Sequence, residues 1–343
     1  MLRFILTSLL FWFSISAMAT SLQDFNGHRV SNKPWNEQWF FYIYDPEVGY
    51  FKFSVQTFVL PDADSLKEQA YIHLLHTDKQ GRNTIHDYYF DDIRLSYKDD
   101  ANTLSIVIPD VLSVTDNRIE LTLPEVTFST QWIGPHQHYW SGENPGRSPF
   151  GLITELPFVD NKWFVYSLAT PATYQYQNNE QSYAGMGSVY IDKGWTTSQG
   201  KSFSFVMATT NEHQLMISGG SDHGFPLEMW AAQFRFGESN MVFRPKFNGL
   251  SVTREYDSCS GFLTIEFKSL FKKLVVQAEA SQESFYDSLM PSIKVFNAPY
   301  PSMKSMGAMI NVKAYRFGLL IEEHIFPQGI LEFGGEMHCD NQT

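Results

Sequence analysis

Trp39-Phe40-Phe41-Tyr42-Ile43-Tyr44, Asp45-Pro46-Glu47-Val48-Gly49 and Tyr50-Phe51-Lys52-Phe53-Ser54-Val55-Gln56-Thr57-Phe58-Val59 follow one another without interruption. Aromatic and β-branched residues favour strands, and a Pro/Gly segment between two such runs favours a turn. The stretch reads as a hairpin, Trp39–Tyr44 paired with Tyr50–Val59. The same texture extends outward. In the first half it predicts strands at Ala70–Thr77, Thr103–Ile108, Arg118–Leu123, Val126–Thr130 and Trp163–Ala169. In the second half it predicts Gly187–Asp192, Ser202–Thr209, Gln214–Ser218, Met229–Phe236, Phe262–Phe267, Leu274–Ala278, Met306–Phe317 and Ile330–Gly334. Ser202–Thr209 alternates poorly, which suggests burial on both faces or a neighbouring cavity. Asp64–Gln69 is the one helix candidate, and a short turn is expected within Gln282–Leu289.

Many antiparallel strands joined by short turns mean a sandwich or a barrel. The polar run Gln175-Tyr176-Gln177-Asn178-Asn179-Glu180 is the best linker candidate. The expectation is an all-β chain of two domains, 20–176 and 180–343, behind an N-terminal address at 1–19. That address has one cation, Arg3, an apolar stretch from Phe4 to Ile15, and small residues at Ala17-Met18-Ala19, the three parts of a secretory signal. Cleavage is expected after Ala19, with a periplasmic or secreted destination.

The 343 residues carry 25 Lys+Arg and 37 Asp+Glu, a formal net charge of -12. That argues against nucleic acid as a partner and against purely electrostatic docking on anionic lipid. Aromatic residues make up 16% and charged residues 18%, so the chain has the apolar surface to fold. The aromatics read first as a large β core and second as the wall of an apolar ligand cavity. Export permits a disulfide. Cys259 and Cys339 are the two cysteines, and they read either as a bridge tying the last segment to the second domain or as two unpaired thiols.

Few motifs carry chemistry. His136/His138 and His73/His76 are close pairs without a ligand set around them, and they read as loop and sheet-surface histidines. No metal and no cofactor is expected. A G-x-S-x-G elbow and a phosphate loop are absent. Gly185-Met186-Gly187 lacks the rest of a dinucleotide fingerprint and reads as a strand entry where backbones approach closely. Two acids stand beside tryptophans: Glu37 next to Trp35 and Trp39, and Asp192 next to Trp195. A carboxyl in an apolar pocket has a raised pKa and can protonate an olefin, and aromatic faces stabilise the resulting cation. Either acid alternatively faces solvent or pairs with Lys33 or Lys193.

These segments carry a resemblance. Glu37-Gln38-Trp39-Phe40-Phe41-Tyr42 resembles the E-G-W-Y-Y segment of tocopherol cyclases. Gly185-Met186-Gly187-Ser188-Val189-Tyr190-Ile191-Asp192-Lys193-Gly194-Trp195 is similar to their G-x-A-Y-x-E-K-N-W-G segment. Asn297-Ala298-Pro299, Met306-Gly307, Tyr315-Arg316-Phe317-Gly318 and Phe333-Gly334-Gly335 resemble their carboxyl-terminal blocks. The order holds from about Trp35 to Gly335. Gln38 stands for Gly, Asp192 for Glu, Gly194 for Asn and Thr196 for Gly. The broader group, with carotenoid 1,2-hydratases and stress-survival proteins, fits nearly as well.

The resemblance implies two lipocalin-like antiparallel β-barrel domains packed together around an apolar ligand cavity. It also implies cofactor-independent protonation of an olefin, with ring closure or hydration to follow. Asp192 and Glu37 are the candidate acids, with Asp192 first. Trp39, Trp195 and Tyr190 are candidate substrate-binding residues, the two tryptophans alternatively plugging a barrel end. The expected ligand is a prenylated quinol or another isoprenoid, with transient membrane contact for its uptake. A carrier that does not transform the lipid, or an envelope stress protein, is the alternative.

Overall fold

The computed structural model describes residues 25–100, 103–132, 148–151, 154, 159–223, 225–245 and 250–339. The expected signal peptide and the His136/His138 pair lie outside the described residues. The first sheet contains β1 (Trp35–Asp45), β2 (Gly49–Val59), β3 (Gln69–Asp78), β4 (Asn83–Phe90), β5 (Arg94–Leu95), β6 (Ser105–Ile108), β7 (Leu112–Thr115), β8 (Arg118–Thr122), β9 (Val126–Trp132), β10 (Lys162–Asn178) and β11 (Ser182–Thr196). Their spatial order is β4-β3-β2-β1-β11-β10-β9-β8-β7-β6-β5. The second sheet contains β12 (Ser202–Thr209), β13 (His213–Asp222), β14 (Phe225–Phe236), β15 (Ser239–Phe243), β16 (Ser251–Asp257), β17 (Phe262–Ser269), β18 (Lys272–Glu279), β19 (Phe285–Ser288), β20 (Ser302–Arg316) and β21 (Leu319–Gly335). Its order is β15-β14-β13-β12-β21-β20-β18-β17-β16, with β19 paired to β20. The chain is therefore all-β, two lipocalin-like antiparallel units, each sheet curling over its own core.

The opening hairpin forms as the turn chemistry requires. Asp45 Oδ1 accepts the Glu47 amide at 2.8 Å, and Asp45 pairs with Gly49 across the turn. Gly49 has φ of 119°, and a Cβ there would sit 2.2 Å from the Thr77 carbonyl oxygen, so only glycine fits. Gly187 marks the close approach expected of its segment, since a Cβ would lie 2.5 Å from the Tyr44 carbonyl oxygen.

Side-chain alternation sorts the residues into three layers. In β1, Trp39, Phe41 and Ile43 enter the core of the first unit, while Tyr42 and Tyr44 face the second unit. A core of Val206, Ile217, Phe234, Ile265, Ile310 and neighbours fills the second unit. Between the sheets, Tyr42, Tyr44, Tyr50 and Tyr190 meet Phe205, Met207, Met216 and Ile330. Ser202–Thr209 alternates poorly for this reason: Val206 and Ala208 face the second core while Phe205 and Met207 face the first unit.

Two expectations need correction. The run Gln175–Glu180 is not a linker. It is the end of the β10–β11 hairpin, where Tyr176 pairs with Tyr183 and the Asn178 amide bonds the Gln181 carbonyl at 2.9 Å. The sheets divide instead between Thr196 and Ser202. Asp64–Gln69 forms no helix; it is a bend running into β3. The short turn at Gln282–Ser284 is present, but a strand, β19, follows it, and a five-residue helix, α1 (Ser292–Phe296), lies beyond.

Cys259 and Cys339 are disulfide-bonded across a separation of 80 residues. The bridge joins the β16–β17 turn to the segment after β21. A loop of that size constrains the unfolded chain, so Cys259→Ser should lower stability by about 2–4 kcal/mol. A reductant should lower the melting temperature of the wild type to that of the variant. An equal melting temperature for both proteins under oxidising conditions would contradict the bridge.

Candidate functional site

The register of β1 with β11 decides where the two acids go. Phe40 lies opposite Asp192 and Tyr42 opposite Tyr190; Glu37 lies opposite Trp195 and Trp39 opposite Lys193. Residues directly opposite share a face. Asp192 and Tyr190 therefore face the second unit, whereas Glu37, Trp39 and Trp195 face the interior of the first.

A cavity of about 210 Å³ lies where the two units meet. Asp192 lines it, together with Phe40, Tyr42, Trp163 and Phe205. Asp192 is only 4% exposed. Burial pushes its carboxyl up to about 7, against hydrogen bonding from Tyr190 and Trp163 and the charge of Lys304. Its Oδ1 has no hydrogen-bond partner of good geometry, and neither has the Tyr190 hydroxyl. Tyr190 packs behind the wall, its ring 5.8 Å from that of Tyr42 and 6.0 Å from that of Phe205.

The opposite side of the cavity is polar. Lys304 and Glu332 are cross-strand partners on β20 and β21, with Nζ 2.7 Å from Oε2. Lys304 also donates to the Tyr42 hydroxyl at 3.0 Å, and the Ser302 hydroxyl donates to Glu332. Burial works against the charge on Lys304, but Glu332, Tyr286 and Asp192 together outweigh it and hold the amine above its usual value. Lys52 is buried beside them, donates to the Tyr286 hydroxyl at 3.1 Å and makes no ion pair among the described residues. Burial, then the nearby Lys304 charge, pushes the Lys52 amine well below its ordinary value. Near neutral pH the cavity thus holds a carboxyl half in its acid form, a buried amine whose charge is disfavoured, and a self-compensated ion pair.

Glu37 requires a correction. It is fully buried, its Oε1 lies 2.7 Å from Lys193 Nζ and 2.6 Å from His28 Nδ1, and its Oε2 accepts the His28 amide at 2.9 Å. Burial would raise this carboxyl, but Lys193 and His28 outweigh it and hold it below its usual value. An ionised, triply bound carboxylate on the wrong side of the sheet does not protonate a ligand in the cavity. Trp39 and Trp195 do not line the cavity either. They flank the Lys193 ammonium at 5.0 and 4.8 Å, so the cation they stabilise belongs to the protein. Trp39 Nε1 also donates to the Phe25 carbonyl at 2.7 Å, closing the unit with the N-terminal segment.

The histidines on β3 are buried rather than on the sheet surface. His73 Nδ1 lies 2.6 Å from Asp87 and faces the second unit; His76 stacks on Phe51 at 4.6 Å inside the first. They sit on opposite faces and cannot share an ion. Among the described residues no group of three or more His, Cys, Asp or Glu could hold a metal.

Two solved structures share the fold. One is a candidate AttH protein from Nitrosomonas europaea, with TM-score 0.54 and 12% identity over 94% of this chain and 99% of that one. The other is kievitone hydratase from Nectria haematococca, with TM-score 0.54 and 11% identity over 94% of this chain and 95% of that one. The likeness shows the shared two-unit, lipocalin-like β fold and does not single out tocopherol cyclases. No family model and no curated protein matches the chain.

Lys304, Glu332, Lys52 and Trp163 belong to the site although the sequence did not mark them. Lys304 and Glu332 lie more than a hundred residues beyond Asp192, and no short motif joins them. Trp163 was placed in a strand, but only the register shows which way it points.

Proposed function

We propose that this chain is a hydratase-type enzyme acting on an apolar, olefin-bearing ligand, with Asp192 as proton donor. The observation that carries this is the Asp192 carboxyl, held in its acid form up to about pH 7 in an aromatic-walled cavity. The acid proton forms a C–H bond at one olefin carbon, leaving a tertiary cation at the other. Phe40, Trp163 and Phe205 line the cavity around that charge, and aromatic rings favour a neighbouring cation. Water adds to the cation and its released proton returns to the Asp192 carboxylate, restoring the acid. A protonated Lys52 would oppose the cation, and burial beside Lys304 disfavours that protonated form. Lys304 is offset by Glu332.

The fold shared with a hydratase supports hydration as the outcome. The segment around Asp192, which resembles tocopherol cyclases, supports ring closure of a prenylated quinol as the second reading. A cavity of about 210 Å³ suits a reacting prenyl group more than a whole long isoprenoid. The N-terminal signal pattern and the Cys259–Cys339 bridge support export to the periplasm or beyond.

Incubation of the purified protein with a prenylated quinol tests the reading. Hydration adds one water to the product mass, and ring closure shifts retention at constant mass. Binding of the quinol with no product would instead make the protein a carrier and sink the enzymatic reading.

A further inference from the structure

Two neighbouring hairpin turns at the far end of the second unit are built from apolar side chains. Leu270 is 87% exposed, Phe271 58%, Phe317 70% and Leu319 72%, and Leu320 and Ile321 are exposed beside them. They come from the β17–β18 and β20–β21 turns, which β18–β20 pairing sets side by side. The Phe317 amide donates to the Phe271 carbonyl at 2.8 Å, and the two rings lie 5.0 Å apart. Most exposed apolar residues are scattered singly, whereas these form one tip.

The conformation of Phe317 is a second, independent observation. Phe317 and Gly318 have φ of 52° and 82°, the pair of left-handed residues that a two-residue hairpin turn of this kind requires. Asn-Gly or Asp-Gly suits such a turn. A bulky aromatic opposes it, so the turn chemistry alone does not account for this residue.

The charge around the tip differs from that of the chain. Lys268, Lys272 and Arg316 stand within three residues of the apolar positions and make no ion pair among the described residues. Lys273 lies over the Tyr315 ring at 4.4 Å. The acids nearest in sequence are engaged: Glu266 with Lys273, Glu323 with Lys313, and Glu322 with His213. Screening limits exposed charges to about 8–10 Å, so this collar acts locally although the net charge is -12.

We propose that this tip anchors the protein on an anionic lipid bilayer, its aromatic and aliphatic side chains entering the interface and its cationic collar meeting the headgroups. Apolar rings flanked by Lys and Arg match that surface on both counts. No helix among the described residues is long and apolar enough to cross a membrane. Lys304, at the cavity, precedes Arg316 on the same strand by twelve residues. At about 3.3 Å per residue the cavity stands roughly 40 Å along the strand from the tip. The tip is therefore an anchor and not the ligand's entrance, and the inference does not depend on what the cavity does.

The test compares full-length wild type with the Phe271→Ser/Phe317→Asn variant in flotation with phosphatidylcholine vesicles and with vesicles containing phosphatidylglycerol. The wild type should bind the anionic vesicles, less so at high salt, and the variant should bind at least about tenfold more weakly. Asn at position 317 suits the turn, so the variant should keep its melting temperature. Failure of the wild type to bind, or equal binding by both proteins, would overturn the proposal. So would a wild-type dimer that the substitutions convert to a monomer, since the tip would then be a contact between copies.

Discussion

Asp192→Asn should lower turnover of a prenylated quinol by about 10²–10⁴-fold, the usual contribution of a general acid, without unfolding the protein. The amide has the same shape and no acidic proton. Asp192→Glu restores the residue type found in the resembling cyclases and should retain part of the activity. In the wild type the active form is the protonated one, so activity should fall as pH rises through about 7. The same carboxyl has a stability signature. Its folded value is about 7 against an ordinary 3.8, so the folded state holds a proton that the unfolded state has released. The contribution is fully present below pH 3.8, is lost as pH rises toward 7, and reaches about 4 kcal/mol of destabilisation above that. The Asn variant escapes this loss. It should be more stable than the wild type above pH 7, with the difference vanishing toward pH 4. Parallel melting curves across that range would show that Asp192 is not a buried neutral acid. Retained turnover in the Asn variant would place the proton donor elsewhere.

The parts of this protein that were legible in sequence are those decided by local chemistry. The Asp45–Gly49 turn and its two aromatic strands needed only residue types, and all the predicted strands lie on strands of the structure. Strands at sheet edges were harder. Asn83–Phe90 and Ser251–Asp257 carry partly exposed, polar side chains, because an edge strand has little to bury. The false linker at Gln175–Glu180 shows the same effect: Gln175 and Gln177 are exposed, but Tyr174 and Tyr176, alternating with them, are buried at strand period. Asp192 was legible because it sits in a recognisable segment. Its separation from Glu37 was not, because the face an acid occupies depends on strand parity and register, and the sequence prints neither. The cavity needs β1, β2, β10, β11, β12, β20 and β21 together, and contacts of that range leave no local trace.

The pairing of Glu37 with Lys193 turns the misassigned acid into a test of the fold. Both side chains are fully buried, on the opposite face of β1–β11 from Asp192. Glu37→Gln strands the Lys193 ammonium between Trp39 and Trp195 without its counter-ion, and should cost about 3–5 kcal/mol. Lys193→Met strands the carboxylate and should cost a similar amount. The double variant removes both charges and should recover much of the loss, since a buried ion pair is often no better than apolar packing. The pH dependence runs opposite to that of Asp192. The Glu37 carboxyl is held below 4.5, so its contribution is present above that pH and is lost as pH falls through the folded value. Acid should therefore destabilise the wild type more than the double variant. Turnover by the folded double variant should stay within about twofold of wild type, because the pair does not touch the cavity. A Glu37→Gln protein that keeps its stability but loses turnover would move the acid chemistry inside the first unit and away from Asp192.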